Sequence, residues 1–386
     1  MILSRTPDQS NVRGYVEGYY GKLLGWHDRC ELVECLAALQ LNTYCYAPKE
    51  DVQHRLQWRD EYSLQWRESF QEFCNYSSGC GINVVAGIAP GLNFDFSRNG
   101  YALDFETLCS KAGHFLADGA NDILILWDDI EAGFNTENCA MSEGVAHARV
   151  VNELSDKLAH PLWVTPRVYA MEIENDNHYL EDFFSELDSQ HTVLLCGNAI
   201  VSGSVDQADL LNLSPAGNHE DCKHRTVLWD NFYANDYCPR RLFIGPWTGR
   251  ETISSYLINP TGMPYTDRLL LDVACSTQTT GDRLNAWLAA LKRHGVPDAF
   301  KTIAPYFTKP VFGDEPIAEV IEAAIPTTET EQVIEECLWR WKSPLAREWY
   351  PFIMSLKHDL ALMQNKLPRD RVLKTQTPAL AKRLLS

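Results

Sequence analysis

The feature that most constrains this chain is a recurrence. From Arg13 to about Asn259, a short apolar run is followed by a polar or Gly/Pro-containing turn and then by a helix-like stretch, again and again. The runs are Gly14–Val16, Thr43–Tyr46, Val84–Ile88, Ile123–Trp127, Leu162–Thr165, Val193–Cys196, Thr226–Trp229 and a last one near Leu242–Ile244. Most intervals are close to the length of a βα unit, about 30 residues, and the last is short. Runs without polar alternation read as strands buried on both faces, the habit of parallel sheets. Eight such strands with intervening helices are what a TIM (β/α)8 barrel requires, and about 250 residues is its usual size. A doubly wound open sheet competes less well, because no Gly-x-Gly-x-x-Gly follows the first run. The expected fold is therefore α/β, a TIM (β/α)8 barrel over residues 1–264 with a helical C-terminal domain over 265–386.

The intervening segments support this. Trp26–Leu39, Phe105–Leu116 and Val145–Leu158 carry apolar residues at helical spacing. Beyond Pro260 strand signals fade: Asp267–Gly295 reads as helix, Ile317–Ile325 and Glu331–Trp341 as two shorter helices, and Leu345–Leu385 as an amphipathic basic stretch interrupted by Pro351, Pro368 and Pro378.

Composition excludes several classes. A net charge of −18 argues against general nucleic-acid binding, which needs Lys and Arg to neutralise phosphates. The charge is uneven: Trp339–Ser386 holds ten Lys or Arg against three Asp or Glu, a solvated basic tail by default. No apolar run is long enough to span a bilayer, and Met1–Ser10 lacks a secretory core, so a cytoplasmic protein without membrane association is expected. The twelve cysteines show no metal spacing, and Cys45, Cys196 and Cys275 sit in apolar runs. Reduced thiols, no zinc and no disulfide are expected.

The chemistry gathers where the carboxyl ends of the strands would meet, the face on which TIM-barrel active sites lie. The fourth run closes on two adjacent carboxylates, Asp128 and Asp129. Close like charges push their pKa values apart, which supplies one acid and one base near neutral pH. The plainer reading of either alone is a helix N-cap. Glu17-Gly18-Tyr19-Tyr20-Gly21 follows the first run, Ala47-Pro48-Lys49 the second, Ala89-Pro90-Gly91-Leu92-Asn93 the third and Thr165-Pro166-Arg167-Val168-Tyr169 the fifth. The seventh ends in Trp229-Asp230-Asn231, with Ala234-Asn235-Asp236-Tyr237 close behind, and Asn259-Pro260 comes after the last. Taken singly, Lys49 is a surface lysine, Trp229 a core residue and Asp236 a loop residue. Together, carboxylates, amides and aromatic rings suit a sugar better than a phosphate.

With these residues in view, the chain resembles glycoside hydrolase family 84, the β-N-acetylglucosaminidases that include protein O-GlcNAcases and some bacterial enzymes once called hyaluronidases. The segments that carry the resemblance are Gly14–Gly21, Leu41–Asp51, Trp58-Arg59 with Tyr62, Ala89–Leu92, Leu126–Ile130, Trp229–Tyr237 and Arg241–Pro246. Departures are Lys22-Leu23 in place of Arg-Pro, Glu50 after Lys49, Asn93 where a carboxylate is common, and a poorly matched surrounding of Tyr169.

The resemblance implies a retaining exo-enzyme that removes terminal β-linked GlcNAc from a glycoprotein or glycan by substrate-assisted catalysis. In it the 2-acetamido oxygen attacks the anomeric carbon to form an oxazoline. It makes Asp128 the carboxylate that polarises the acetamido N–H and Asp129 the general acid, later the base. Gly18, Lys49, Asp236 and Asn259 would hold sugar hydroxyls. Asn231 would support the acetamido group or Asp128, and Tyr169 and Trp229 would line its pocket. No cofactor or metal is implied. Geometry agrees with the nucleophile's origin: neighbouring Cα atoms stand about 3.8 Å apart, whereas carboxyls that attack and protonate across a glycosidic bond need about 5–5.5 Å. A non-catalytic, lectin-like GlcNAc-binding barrel is the alternative, and a homodimer through the C-terminal helices is the assembly considered.

Overall fold

In the computed structural model the strands close into a barrel of eight parallel strands in sequence order. The structure describes residues 11–133, 141–174, 178–213, 224–237, 242–278, 281–308, 327–364 and 366. The strands are β1 (Arg13–Glu17), β2 (Thr43–Tyr46), β3 (Asn83–Ile88), β4 (Asp122–Leu126), β5 (Trp163–Thr165), β6 (Thr192–Leu195), β7 (Arg225–Asp230) and β8 (Tyr256–Ile258). The helices between them are α1 (Trp26–Ala38), α2 (Leu64–Gly79), α3 (Tyr101–Ala117), α4 (Glu143–Leu158), α5 (Tyr179–Glu186) and α6 (Gln207–Asn212). Ring closure pairs Gly14 with Leu257 and Tyr15 with Ile258.

Seven strands lie where the apolar runs place them; the eighth does not. Leu242–Ile244 is no strand. It is a buried segment whose Ile244 amide donates to the Phe307 carbonyl at 2.8 Å and whose Ile244 carbonyl accepts from Trp287 Nε1 at 2.6 Å. The closing strand is three residues long, Tyr256-Leu257-Ile258, too short for periodicity to mark.

Side chains alternate across each strand, so every second residue faces the barrel axis. Val16, Cys45, Ala47, Val85, Leu124, Leu126, Leu194, Val227, Trp229 and Leu257 share one buried interior cluster. The residues between them face the helix layer. Glu17 is one of these, fully buried beneath α1, where Arg29 grips it through two hydrogen bonds of 2.8 and 2.9 Å and Tyr44 donates at 2.7 Å.

The chain divides into two compact units, residues 1–231 with 249–262, and residues 232–248 with 263–386. The second contains α7 (Pro264–Gln278), α8 (Arg283–Arg293), α9 (Thr328–Trp339) and α10 (Pro344–Met363). The single helix expected over Asp267–Gly295 is two, the second N-capped by Asp282, which accepts from the Asn285 amide. Pro351, expected as an interruption, lies inside α10. Glu348 of α10 accepts from the first-turn amides of Tyr265 (3.0 Å) and Thr266 (2.7 Å), groups that the start of α7 leaves unpaired. The expected helix Ile317–Ile325, Arg241, Pro368, Pro378 and the basic tail from 367 onward lie outside the described residues. Among the described residues no helix is long and apolar enough to cross a membrane.

Candidate active site

The alternation that fills the barrel also builds its mouth. Two residues past Val16, Ala47, Leu126, Trp229 and Leu257, all interior, come Gly18, Lys49, Asp128, Asn231 and Asn259. Five strands thus deliver their next inward position to the same end, before any loop has to fold.

Asp128 and Asp129 part company here. Asp128 continues the inward parity of Leu124 and Leu126 and is 7% exposed. Its Oδ2 accepts from Lys49 Nζ in a very short contact, and its Oδ1 is buried with no hydrogen-bond partner. A bare buried carboxylate oxygen is costly and marks a place for a donor. Continued extension would carry Asp129 to the helix side. Its φ of +53° stops that, at a cost on the order of 1 kcal/mol for a non-glycine residue. Its carboxylate instead accepts from Tyr20 at 2.9 Å and Tyr169 at 2.7 Å, and lies 3.8 Å from Lys49 Nζ. The Asp129 side chain is 29% exposed against 8% for Asp128, so one carboxylate is enclosed and the other opens outward.

The two sites titrate apart, as close carboxylates must. Burial pushes the Asp128 carboxyl above the ordinary range, and the negative Asp129 adds to this against the pull of Lys49. Burial also works upward on Asp129, but Lys49 and the hydroxyls of Tyr169 and Tyr20 outweigh it and hold it low.

The other side of the mouth is an amide chain. The Gly18 amide donates to Asn259 Oδ1 at 3.1 Å, Asn259 Nδ2 to Asn231 Oδ1 at 2.8 Å, and Trp229 Nε1 to that same oxygen at 3.0 Å. Asn231 Nδ2 donates to the Ile200 carbonyl at 2.9 Å. Gly18 is required by close approach: a Cβ there would meet the Trp229 ring at 2.2 Å. The carboxylates around Lys49, the amide chain and the rings of Trp229 and Tyr169 give a site that can hold hydroxyls and present an acid. Among the described residues no cluster of His, Cys, Asp or Glu is placed to hold a metal ion.

The chain as a whole is similar to known proteins. A family model described as beta-N-acetylglucosaminidase matches residues 13–286. The chain belongs to the β-N-acetylglucosaminidase family. Protein O-GlcNAcase of Rattus norvegicus and that of Mus musculus are each 31% identical to it over 260 residues, 64% of this chain and 28% of theirs. The chain thus spans less than a third of the length of these curated relatives. Among solved structures, a mutant O-GlcNAc hydrolase of Thermobaculum terrenum superposes with a TM-score of 0.75 at 22% identity, covering 90% of this chain and 82% of its own. The protein CpGH84B superposes with a TM-score of 0.72 at 22% identity, covering 94% and 70%.

In this member of the family the structure brings together Asp128, Asp129, Lys49 and Tyr169 as one cluster and Gly18, Trp229, Asn231 and Asn259 as a second. Asp236 belongs to the other compact unit, where it accepts from the Tyr237 amide at 2.9 Å. Sequence reasoning passed over Tyr20 and Arg55. Arg55 donates to the Tyr20 hydroxyl and to the Asp129 carbonyl, each at 2.7 Å. Tyr20 stands inside a motif already singled out; Arg55 carries no local signal, since its partners lie 35 and 74 residues away. Other motif residues prove to be scaffold. Asn93 accepts from Trp58 and Arg59, both at 2.8 Å, and Arg59 Nε donates to Asp104 at 2.6 Å. Arg167 is held by Glu143 at 2.8 Å.

Proposed function

We propose that this chain is a retaining exo-β-N-acetylglucosaminidase that hydrolyses terminal β-linked GlcNAc, including O-GlcNAc on protein Ser or Thr, through an oxazoline formed by the substrate's own acetamido group. One observation carries the reading: two sequence-adjacent carboxylates, one enclosed with a bare acceptor oxygen and one open, share a barrel mouth with a single lysine. With Asp128 enclosed against Lys49 and only Asp129 opening outward, the reading takes the nucleophile from the sugar. Asp128 Oδ1 accepts the acetamido N–H and stabilises the positive charge that develops as the oxazoline forms. Asp129 protonates the leaving oxygen and then deprotonates the attacking water.

The protein's own groups set the protons the other way, with Asp128 held up and Asp129 held down. The sugar supplies the difference. An N–H donated to Asp128 favours its ionised form, and a pyranose covering Asp129 removes it from water and raises it. Lys49, the Gly18 backbone, Asp236 and Asn259 are assigned to the sugar hydroxyls, with Tyr169, Trp229 and Asn231 around the acetamido group. The same reading assigns catalysis to residues 1–264 and a helical accessory role, with homodimerisation, to 265–386. The described free thiols, among them buried Cys45 and Cys196, support a reducing, cytoplasmic setting. Both carboxylates are present, which disfavours a non-catalytic sugar-binding barrel.

The deciding experiment alters the substrate. Aryl β-glucosaminides bearing acetamido, mono-, di- and trifluoroacetamido groups lose nucleophile basicity in steps while barely changing size. The expected result is a steep fall in rate along the series with the β-anomer as first product. A flat series would mean direct attack by an enzyme carboxylate and would end the proposal.

A further inference from the structure

The most unusual backbone in the site belongs to its reacting group: Asp129 is one of four described non-glycine residues with positive φ, and one side chain fastens it. Arg55 Nη2 donates to the Asp129 carbonyl at 2.7 Å, Nη1 donates to the Tyr20 hydroxyl at 2.7 Å, and Tyr20 in turn donates to Asp129 Oδ2 at 2.9 Å. The guanidinium also sits 5.7 Å from the centre of the Tyr20 ring. One planar fork thus fixes both the backbone and, through Tyr20, the carboxylate of the same residue, a double grip that a single ammonium does not reproduce.

We propose that Arg55 is a positioning residue for the acid–base carboxylate, holding Asp129 in its left-handed turn so that the carboxyl faces the leaving-group oxygen. The inference rests on the reading of Asp129 as the acid. A carboxyl free to swing toward the extended backbone geometry would still be ionisable, but it would meet the departing oxygen in only a fraction of encounters. Arg55 also contributes a positive charge that favours the ionised Asp129. The other charged or titratable groups facing Asp129 are Lys49, Asp128, Tyr20 and Tyr169, and Asp95, Glu131, Glu143 and His147 line with it a cavity of about 610 Å³.

The test compares Arg55→Met, Arg55→Lys and Asp129→Asn with the unaltered protein on aryl β-GlcNAc substrates of graded leaving-group pKa, with pH profiles of kcat/KM. Arg55 is only half-buried, and thermal melts check that both of its variants fold. Both Arg55 variants should lose about tenfold or more on poor leaving groups and little on 2,4-dinitrophenyl, with KM nearly unchanged. The alkaline limb should move up in Arg55→Met, where the charge is gone, and stay in place in Arg55→Lys, where only the fork is lost. Equal losses on every leaving group with an unmoved limb, or no loss at all, would overturn the inference. If Asp129→Asn is itself not selective, the acid assignment falls and takes this inference with it. If Asp129→Asn is selective and the Arg55 variants are not, only the role of Arg55 falls.

Discussion

Asp128 and Asp129 share a peptide bond and a neighbouring lysine, yet their surroundings differ. One is fixed by the inward parity of β4 and by Lys49; the other is turned back by a left-handed residue and gripped by two tyrosines. Different environments imply different failures on mutation. Asp129→Asn should lose about 10²–10⁴ in kcat with poor leaving groups, the usual worth of general acid catalysis, and far less with activated aryl groups that depart without a proton. Asp128→Asn should slow all substrates alike, because charge develops on the oxazoline whatever the leaving group is. Plots of log kcat/KM against leaving-group pKa separate the two, and equal slopes would contradict the assignment. Glu17 is no spare nucleophile at this scale: Arg29 and Tyr44 occupy its oxygens on the helix side of β1.

The Glu17–Arg29 pair ties β1 to α1 across the layer boundary. Both side chains are buried, and Arg29 lies over Trp26 at 4.6 Å and Tyr46 at 4.9 Å. A buried ion pair adds little over an apolar substitute, but removing one partner strands the other. Arg29→Met should therefore cost about 3–5 kcal/mol, seen as a lowered midpoint in chemical denaturation with an unchanged slope. A loss below about 1 kcal/mol would mean that Glu17 finds water or takes up a proton without penalty. The helix layer also explains why apolar runs located seven strands and missed one. Each of the seven is four or more residues long or closely flanked by apolar neighbours, whereas β8 sits between Ser254-Ser255 and Asn259-Pro260. Leu242–Ile244 is equally apolar but satisfies its backbone against Phe307 and Trp287.

Across the whole molecule, buried neutral histidines contribute to the pH dependence of stability. Burial lowers His54 and His147 to about 3, with the positive Lys49 adding at the first and Arg167 at the second. His147 stacks on Trp127 at 4.2 Å and pairs through Nδ1 with the Tyr179 hydroxyl at 2.8 Å. Their unfolded counterparts take up protons near pH 6.5. Between that value and about 3 the unfolded chain binds more protons than the folded one, so stability falls as pH falls through this window. Each histidine contributes a slope of up to about 1.4 kcal/mol per pH unit. His147→Gln should flatten the decline of the denaturation midpoint between pH 6.5 and 4, and a slope equal to that of the unaltered chain would show that His147 is protonated in the fold.

The sequence alone determined the barrel class, because a double-sided apolar run every thirty or so residues satisfies its backbone and side chains best in a parallel ring under helices. It also determined most of the residues that reach the mouth: side-chain alternation is a local property, and it carries Gly18, Lys49, Asp128 and Asn231 inward from strands the sequence marks, whereas Asn259 depends on β8, which it does not. Tertiary structure decided the remainder. That Asp129 turns back toward Tyr20 and Tyr169, that Glu17 faces a helix, and that Arg55 reaches across 74 residues to hold a carbonyl are all long-range facts. Hydrogen bonds of that kind depend on where the backbone has already been placed, and no spacing within a linear motif encodes them.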